Sequence, residues 1–210
     1  MDKKIDVLLL SGGCGSRVKS KIGNTPKALM QYNNDIAVNT VLYPFMHGDN
    51  VGVFKININI HSSEIEYFKD LGYNLLVEDI RNGNAYAIKK FCSSLSNPFI
   101  VVHNDVNLLD INLQNFYISH LQNDSMMTMV VKNIAETEKE RGVIVKKYNK
   151  VLGFTRERWV NCGLYCVNHS VVENIEDSFQ DIDNNLIPKL ISIHQLCCYD
   201  YNGKYEDWGK

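Results

Sequence analysis

The stretch from Val7 to Leu29, VLLLSGGCGSRVKSKIGNTPKAL, decides how the rest of the chain is read. An apolar, β-rich run (Ile5–Ser11) stops at a turn holding Gly12, Gly13 and Gly15. Arg17 follows, and the Pro26-Lys27 pair completes the stretch. Glycines at a strand end let the backbone approach a ligand closely and turn successive N–H groups toward an anion. Two spaced cations add charge for the same anion. A polyphosphate site fits this pattern; so does a structural turn with two solvated cations. The two commonest phosphate signatures are absent. No G-x-x-x-x-G-K-[ST] string occurs, and Gly13-x-Gly15 is followed by Val18 where a dinucleotide fingerprint needs a third glycine.

Further along, apolar and polar segments alternate. Ile36–Met46 reads as a helix and Val51–Ile60 (VGVFKININI) as an alternating strand. In HSSEIEYFKDLG, Ser63 and Glu66 have capping-box spacing, with Gly72 as the stop. Leu75–Val77 reads as a short strand, Ala85–Leu95 as a helix and Pro98–Asp105 as a buried strand with a polar end. This βαβαβ order predicts an α/β fold with a mostly parallel central sheet and helices on both faces. The second half predicts a smaller mixed β region. GVIVKKYNKVLGFTRER reads as two short strands about a Tyr148-Asn149-Lys150 turn. Val160–Asn168 is another strand, DIDNNLIPKLI a helix, and the last residues closing strands. With 210 residues and no internal repeat or linker, one domain is expected over 1–210. In such sheets ligands bind beyond the carboxyl ends of the strands, where the glycine turn lies.

Composition narrows the partners. A formal net charge of −2 leaves no basic excess for nucleic acid. No apolar run approaches the roughly 20 residues of a membrane helix, and the N-terminus has no signal-peptide cleavage pattern. Cys14, Cys92, Cys162, Cys166, Cys197 and Cys198 have no C-x-x-C spacing, which suits free thiols in a reducing compartment.

Several separate segments resemble the nucleotidyltransferases that activate sugar 1-phosphates. The opening stretch is similar to their G-G-x-G-[ST]-R … P-K signature. EDIRNGNAYAIKKF (Glu78–Phe91) is similar to their E-x-x-P-x-G-T-[AG]-x-A segment, and VVHNDV to a strand ending in Gly-Asp. RGVIV … VLGFTRER, VNCGLYCVN and KYEDWGK resemble the later family motifs in the same order. The small size and NCGLY bring the chain nearest to heptose and mannose 1-phosphate guanylyltransferases.

The resemblance implies a Rossmann-like sheet of the nucleotide-diphospho-sugar transferase type. Its nucleotide-binding half would be 1–110 and its sugar-phosphate-binding half 111–210. It implies that an NTP, with GTP favoured, and a hexose or heptose 1-phosphate give an NDP-sugar and pyrophosphate for cell-surface polysaccharide synthesis. By the same resemblance Arg17, Lys27 and Asp105 are catalytic. Ser11, Gly12, Gly13, Gly15, Glu78, Gly83, Asn84 and Asn104 bind nucleotide. Gly142, Glu157, Arg158 and Asn161 bind the sugar phosphate, while Asp105 and Asp207 hold Mg2+. A cytoplasmic protein is implied, with no nucleic acid or membrane partner and a homodimer allowed. Departures from the pattern fall at Asn104, Ile80-Arg81 and Ala85-Tyr86, in the base and sugar pockets. Two other readings stay open: a cytidylyltransferase for a phosphocholine-like acceptor, and a non-catalytic nucleotide-sugar-binding module.

Overall fold

A computed structural model describes residues 4–13, 23, 25–32, 34–50, 52–133, 143–147, 149–155 and 159–208. In chain order it runs β1 (Ile5–Leu10), β2 (Gln31–Tyr32), β3 (Asp35–Ile36), α1 (Ala37–Met46), β4 (Phe54–His61), α2 (Ile65–Phe68), β5 (Asn74–Glu78) and α3 (Asn84–Phe91). It continues with β6 (Phe99–His103), β7 (Val106–Asn107), α4 (Leu113–Gln122), β8 (Met127–Asn133), β9 (Val143–Lys147), β10 (Lys150–Thr155) and β11 (Trp159–Val167). It ends with α5 (Ile187–Ser192), β12 (Leu196–Asp200) and β13 (Glu206–Asp207).

Nine strands form one sheet in the order β5-β4-β1-β6-β11-β8-β12-β10-β9. The first four are parallel. From β11 onward antiparallel pairs enter, with β12 running parallel to β8. This is the mostly parallel sheet with a mixed second half that the sequence predicts.

The apolar run 7–10 of β1 has a direct physical reason: both faces of this strand are covered. Val7 and Leu9 join a core with Val38, Leu42 and Phe45 of α1 and Phe116 of α4. Leu8 and Leu10 point into a second core with Ala87 and Ile88 of α3 and Ile187 and Leu190 of α5. The strand period of two thus sorts successive side chains into two layers.

Local details differ from the sequence reading. The Ser63–Glu66 capping box does not form: a 3-10 turn, Ser62–Glu64, intervenes before α2, and His61 Nδ1 accepts from the Ser63 N–H at 3.2 Å. An imidazole at the strand end reaches the orphan donor that Glu66 was expected to serve. Gly72 does end this segment, in the left-handed conformation at φ 77°. Helix α4 is absent from the sequence reading altogether. It is capped by Asn112, whose side chain accepts from Asn115 N at 2.8 Å, and it buries Leu113, Phe116 and His120 along one face. The DIDNNLIPKLI helix begins as a π-helical turn, Ile182–Leu186, before α5. Cys92, Cys162, Cys166, Cys197 and Cys198 are buried, and burial pushes the Cys92 thiol up to about 11.

Candidate active site at the carboxyl ends of the parallel strands

The chain leaves β1 under tight backbone control. Ser11 N donates to Asn59 O at 3.0 Å, and Gly12 N donates to the Asn59 side-chain oxygen at 3.3 Å. A Cβ on Gly12 would stand 2.0 Å from Glu78 Oε1 and 2.8 Å from Asn59 Oδ1, so a larger residue here would force the Glu78 carboxyl to move. Gly13 faces open space. From the next segment Arg81 Nε donates to the Gly12 carbonyl at 2.8 Å, and its other end pairs with Glu64 at 2.9 Å. The guanidinium therefore ties the turn after β1 to the turn before α2.

Glu78 ends β5 beneath this turn, 3 % exposed, and its Oε2 has no hydrogen-bond partner among the described residues. Burial pushes its carboxyl above the ordinary range; Asn59, Lys90, His61 and Arg81 pull the other way with less effect. Asn104, beyond β6, donates to Ser11 Oγ at 3.3 Å, which joins the loops after β1 and β6.

Beside that junction lies an ion pair. Lys27 Nζ stands 2.5 Å from Asp105 Oδ2, with side chains 15 % and 21 % exposed. Pro26 holds an extended φ of −56°, Lys27–Leu29 forms a 3-10 turn, and buried Ala28 anchors it. The lysine is thus carried on a stiff support, as the Pro-Lys pair suggests. Asp207, distant in sequence, arrives on β13, which pairs antiparallel with β7 with Asp207 opposite Val106. Trp208 N closes the approach by donating to Asp105 O at 2.8 Å. The Trp208 ring lies 3.9 Å from that of Tyr32, whose hydroxyl donates to Glu206 at 2.8 Å.

Asn161 occupies the start of β11, before a bulge that shifts register between Asn161 and Tyr165. Its Oδ1 accepts from Gly163 N at 3.0 Å; its amide reaches Tyr165 Oη at 2.7 Å and Asp183 Oδ1 at 2.9 Å. Gly163 sits at φ 70°, and a Cβ there would meet Val106 Cγ1 at 3.0 Å. The glycine in NCGLY therefore allows β11 to pass close to the Asp105 loop. The Tyr205 hydroxyl lies 3.2 Å from Asp207 Oδ2 and 3.5 Å from Asn161 O. With a single proton it donates to one of them at a time.

Gly83 and Asn84 open α3 against another segment. Gly83 has φ 90°, and a Cβ would stand 2.1 Å from Gln180 O. That carbonyl accepts from Ala85 N and Tyr86 N at 3.1 and 3.4 Å, and Asn84 Oδ1 accepts from Ile182 N at 2.6 Å. The first turn of α3 therefore directs these groups to the 180–182 segment. Arg17, Gly15, Gly142, Glu157 and Arg158 lie outside the described residues. Among the described residues no group of three or more His, Cys, Asp and Glu side chains is placed to hold a metal, and no helix is long and apolar enough to cross a membrane.

Asp183 and Tyr205 are site neighbours that the sequence does not single out, and Arg81 stands there only as a departure from a motif. Asn59 is missed as well, since it occupies a polar position of the alternating β4 and is nonetheless buried.

No protein-family model matches the chain. It is 25% identical to the Drosophila melanogaster mannose-1-phosphate guanylyltransferase catalytic subunit beta, over 97% of this chain and 59% of that protein. The D-glycero-alpha-D-manno-heptose 1-phosphate guanylyltransferase of Aneurinibacillus thermoaerophilus is 22% identical over 80% of this chain and 77% of its own length. The chain spans about three-fifths of the mannose-1-phosphate guanylyltransferases it matches. Among solved structures, HddC from Yersinia pseudotuberculosis complexed with GMP-PN superposes with a TM-score of 0.81 at 19% identity, covering 98% of this chain and 94% of that one. The inositol-1-phosphate CTP transferase from T. maritima gives 0.77 at 15% identity, covering 99% of this chain and 90% of that one. The chain has the fold of these sugar-phosphate nucleotidyltransferases.

Proposed function

We propose that the chain is a sugar 1-phosphate nucleotidyltransferase that joins an NTP to a hexose or heptose 1-phosphate and releases pyrophosphate. The observation that carries this reading is the Lys27–Asp105 pair beside the glycine turn, with the Asp207 strand hydrogen-bonded to the Asp105 loop. Similarity to guanylyltransferases over 97% of the chain supports the same reaction and favours GTP.

In this reaction a phosphate oxygen of the sugar 1-phosphate forms a bond to the α-phosphorus of the NTP as the bond to the β-phosphate oxygen breaks. The nucleophile is already an anion near neutral pH, so no side chain need remove a proton. The barrier lies in gathering two polyanions and stabilising charge, which makes positioning and electrostatics the protein's task. Gly12 and Gly13 give the triphosphate an approach to backbone, and Lys27 offers donors to phosphate oxygens from a rigid turn. Arg17 would neutralise the departing phosphates. Glu78 and Asn104 border the nucleotide, and Asn161 the sugar phosphate, with Gly15, Gly83, Asn84, Gly142, Glu157 and Arg158 as further candidates by resemblance.

Asp105 and Asp207 are hard oxygen donors, the first on the turn that leads into β7 and the second on the strand paired with β7, a donor set that suits Mg2+, which takes one or two carboxylates and fills its shell with phosphate oxygens and water. Such an ion would screen phosphate charge. A cytoplasmic setting and a role in polysaccharide precursor synthesis follow from the substrates, and a homodimer is compatible with them.

The test is magnesium-dependent pyrophosphate release, with ATP, CTP, GTP, UTP and dTTP each set against mannose, glucose and heptose 1-phosphates and phosphocholine. Release with GTP and one sugar 1-phosphate is expected. Release only with CTP and phosphocholine would replace the acceptor class, and nucleotide binding without release would leave a binding module.

A further inference from the structure

On the reading that the chain is a sugar 1-phosphate nucleotidyltransferase, we propose that Asp183 is a specificity-determining residue that accepts a hydrogen bond from a hydroxyl of the acceptor sugar. Asp183 is exposed, yet its side chain is held in place. Its Oδ1 accepts from the Asn161 amide at 2.9 Å, and Oδ2 has no hydrogen-bond partner among the described residues. Its backbone is fixed as well: Asp181 Oδ1 accepts from Asp183 N and Asn184 N, both at 3.0 Å, and caps the π-helical turn Ile182–Leu186. Single π turns recur at functional sites.

Position gives this carboxylate its meaning. The preceding residue, Ile182, donates to Asn84 at the start of α3, so the turn is tied to the nucleotide half. The Asn161 backbone carbonyl lies 3.5 Å from the Tyr205 hydroxyl, which itself stands 3.2 Å from Asp207. Asp183 therefore stands where the first turn of α3 and the Asn161 corner meet. A fixed carboxylate beside a site for two polyanions repels phosphate on contact, so its natural partner is a neutral donor. A sugar supplies such donors in its ring hydroxyls. A site that hydrogen-bonds a substrate hydroxyl rejects an analogue lacking it far more strongly than an apolar pocket rejects a methylene.

The experiment uses the full chain with the sugar 1-phosphate that supports pyrophosphate release and that sugar's monodeoxy analogues. Asp183→Ala is expected to raise the KM for the acceptor tenfold or more while the KM for the NTP stays within twofold. One deoxy analogue should be poor for the wild type and no worse for the variant than the parent sugar. Asp183→Asn keeps an oxygen for the Asn161 amide, guards against a folding defect and should give an intermediate loss. An unchanged acceptor KM, equal losses for both substrates, or a variant that discriminates among deoxy sugars as the wild type does would overturn the proposal. A wild type silent with every sugar 1-phosphate would overturn the nucleotidyltransferase reading itself, and the proposal with it.

Discussion

The two ends of the proposed site are built from different materials. At the β1 end the exposed surface proposed for the nucleotide is backbone: Gly12 and Gly13, held by Asn59, by Arg81 and by the close approach to Glu78. At the β11 end it is side chain: the Asn161 amide meets Asp183, and the Tyr205 hydroxyl lies 3.5 Å from the Asn161 carbonyl, across long sequence separations. Backbone is nearly sequence-blind and suits a group common to all NTPs, the polyphosphate. Side chains carry distinct donors and acceptors and suit the part of the substrates that varies. The difference suggests that the reaction resides at one end and the choice of acceptor at the other.

The sharpest way to break that division is at the charges. Lys27→Ala and Asp105→Asn are each expected to lower kcat/KM by roughly 10²-fold or more, as loss of a preorganised charge does. Lys27→Ala also leaves the Asp105 carboxylate, only 21 % exposed, without its 2.5 Å cation. Steady-state kinetics on folded protein decides the matter. Activity within threefold of wild type in either variant would remove that residue from the reacting end.

A smaller effect is expected at Arg81, which acts through Gly12 rather than on substrate. Replacing it by Gln removes the charge-assisted bond to the Gly12 carbonyl and strands Glu64, whose Oε2 already lacks a partner among the described residues. The KM for the NTP should rise about tenfold, with the KM for the acceptor within twofold. A change confined to the acceptor would contradict the separation of the two ends.

Legibility in the sequence follows the same division. The turn after β1, the Pro26-Lys27 support and the buried strands depend on neighbours in sequence, so glycines, a proline and unbroken apolar runs announce them. The pairing of the Asp207 strand with the Asp105 loop does not, because only a strand placed 102 residues later can bring it about. Arg81 reads as a mere departure from a motif until its 69-residue reach to Gly12 is seen. His61 takes the cap assigned to Glu66 because a strand-end imidazole already lies in reach. Helix α4 has an Asn112 cap and a buried face, but exposed Ile118 and Leu121 and the buried polar His120 blur the apolar periodicity that would announce it.

The gentlest test concerns Glu78, whose carboxyl is buried at the backbone end. Burial raises its pKa in the folded chain above the unfolded value of about 4.5. The folded state therefore binds the proton more tightly than the unfolded state does. Its contribution to stability is fully present below the unfolded pKa and is lost as pH rises through the folded pKa. Glu78→Gln mimics the protonated form without the titration. Relative to wild type, the variant should gain in melting temperature from pH 4 to pH 7, by a few degrees at most. The gain should flatten once pH exceeds the folded pKa. Thermal unfolding of both proteins across that range measures it. A variant that loses stability at pH 7 relative to pH 4 would mean that the ionised carboxylate is a favourable partner of the turn, with Arg81 or Lys90 outweighing burial.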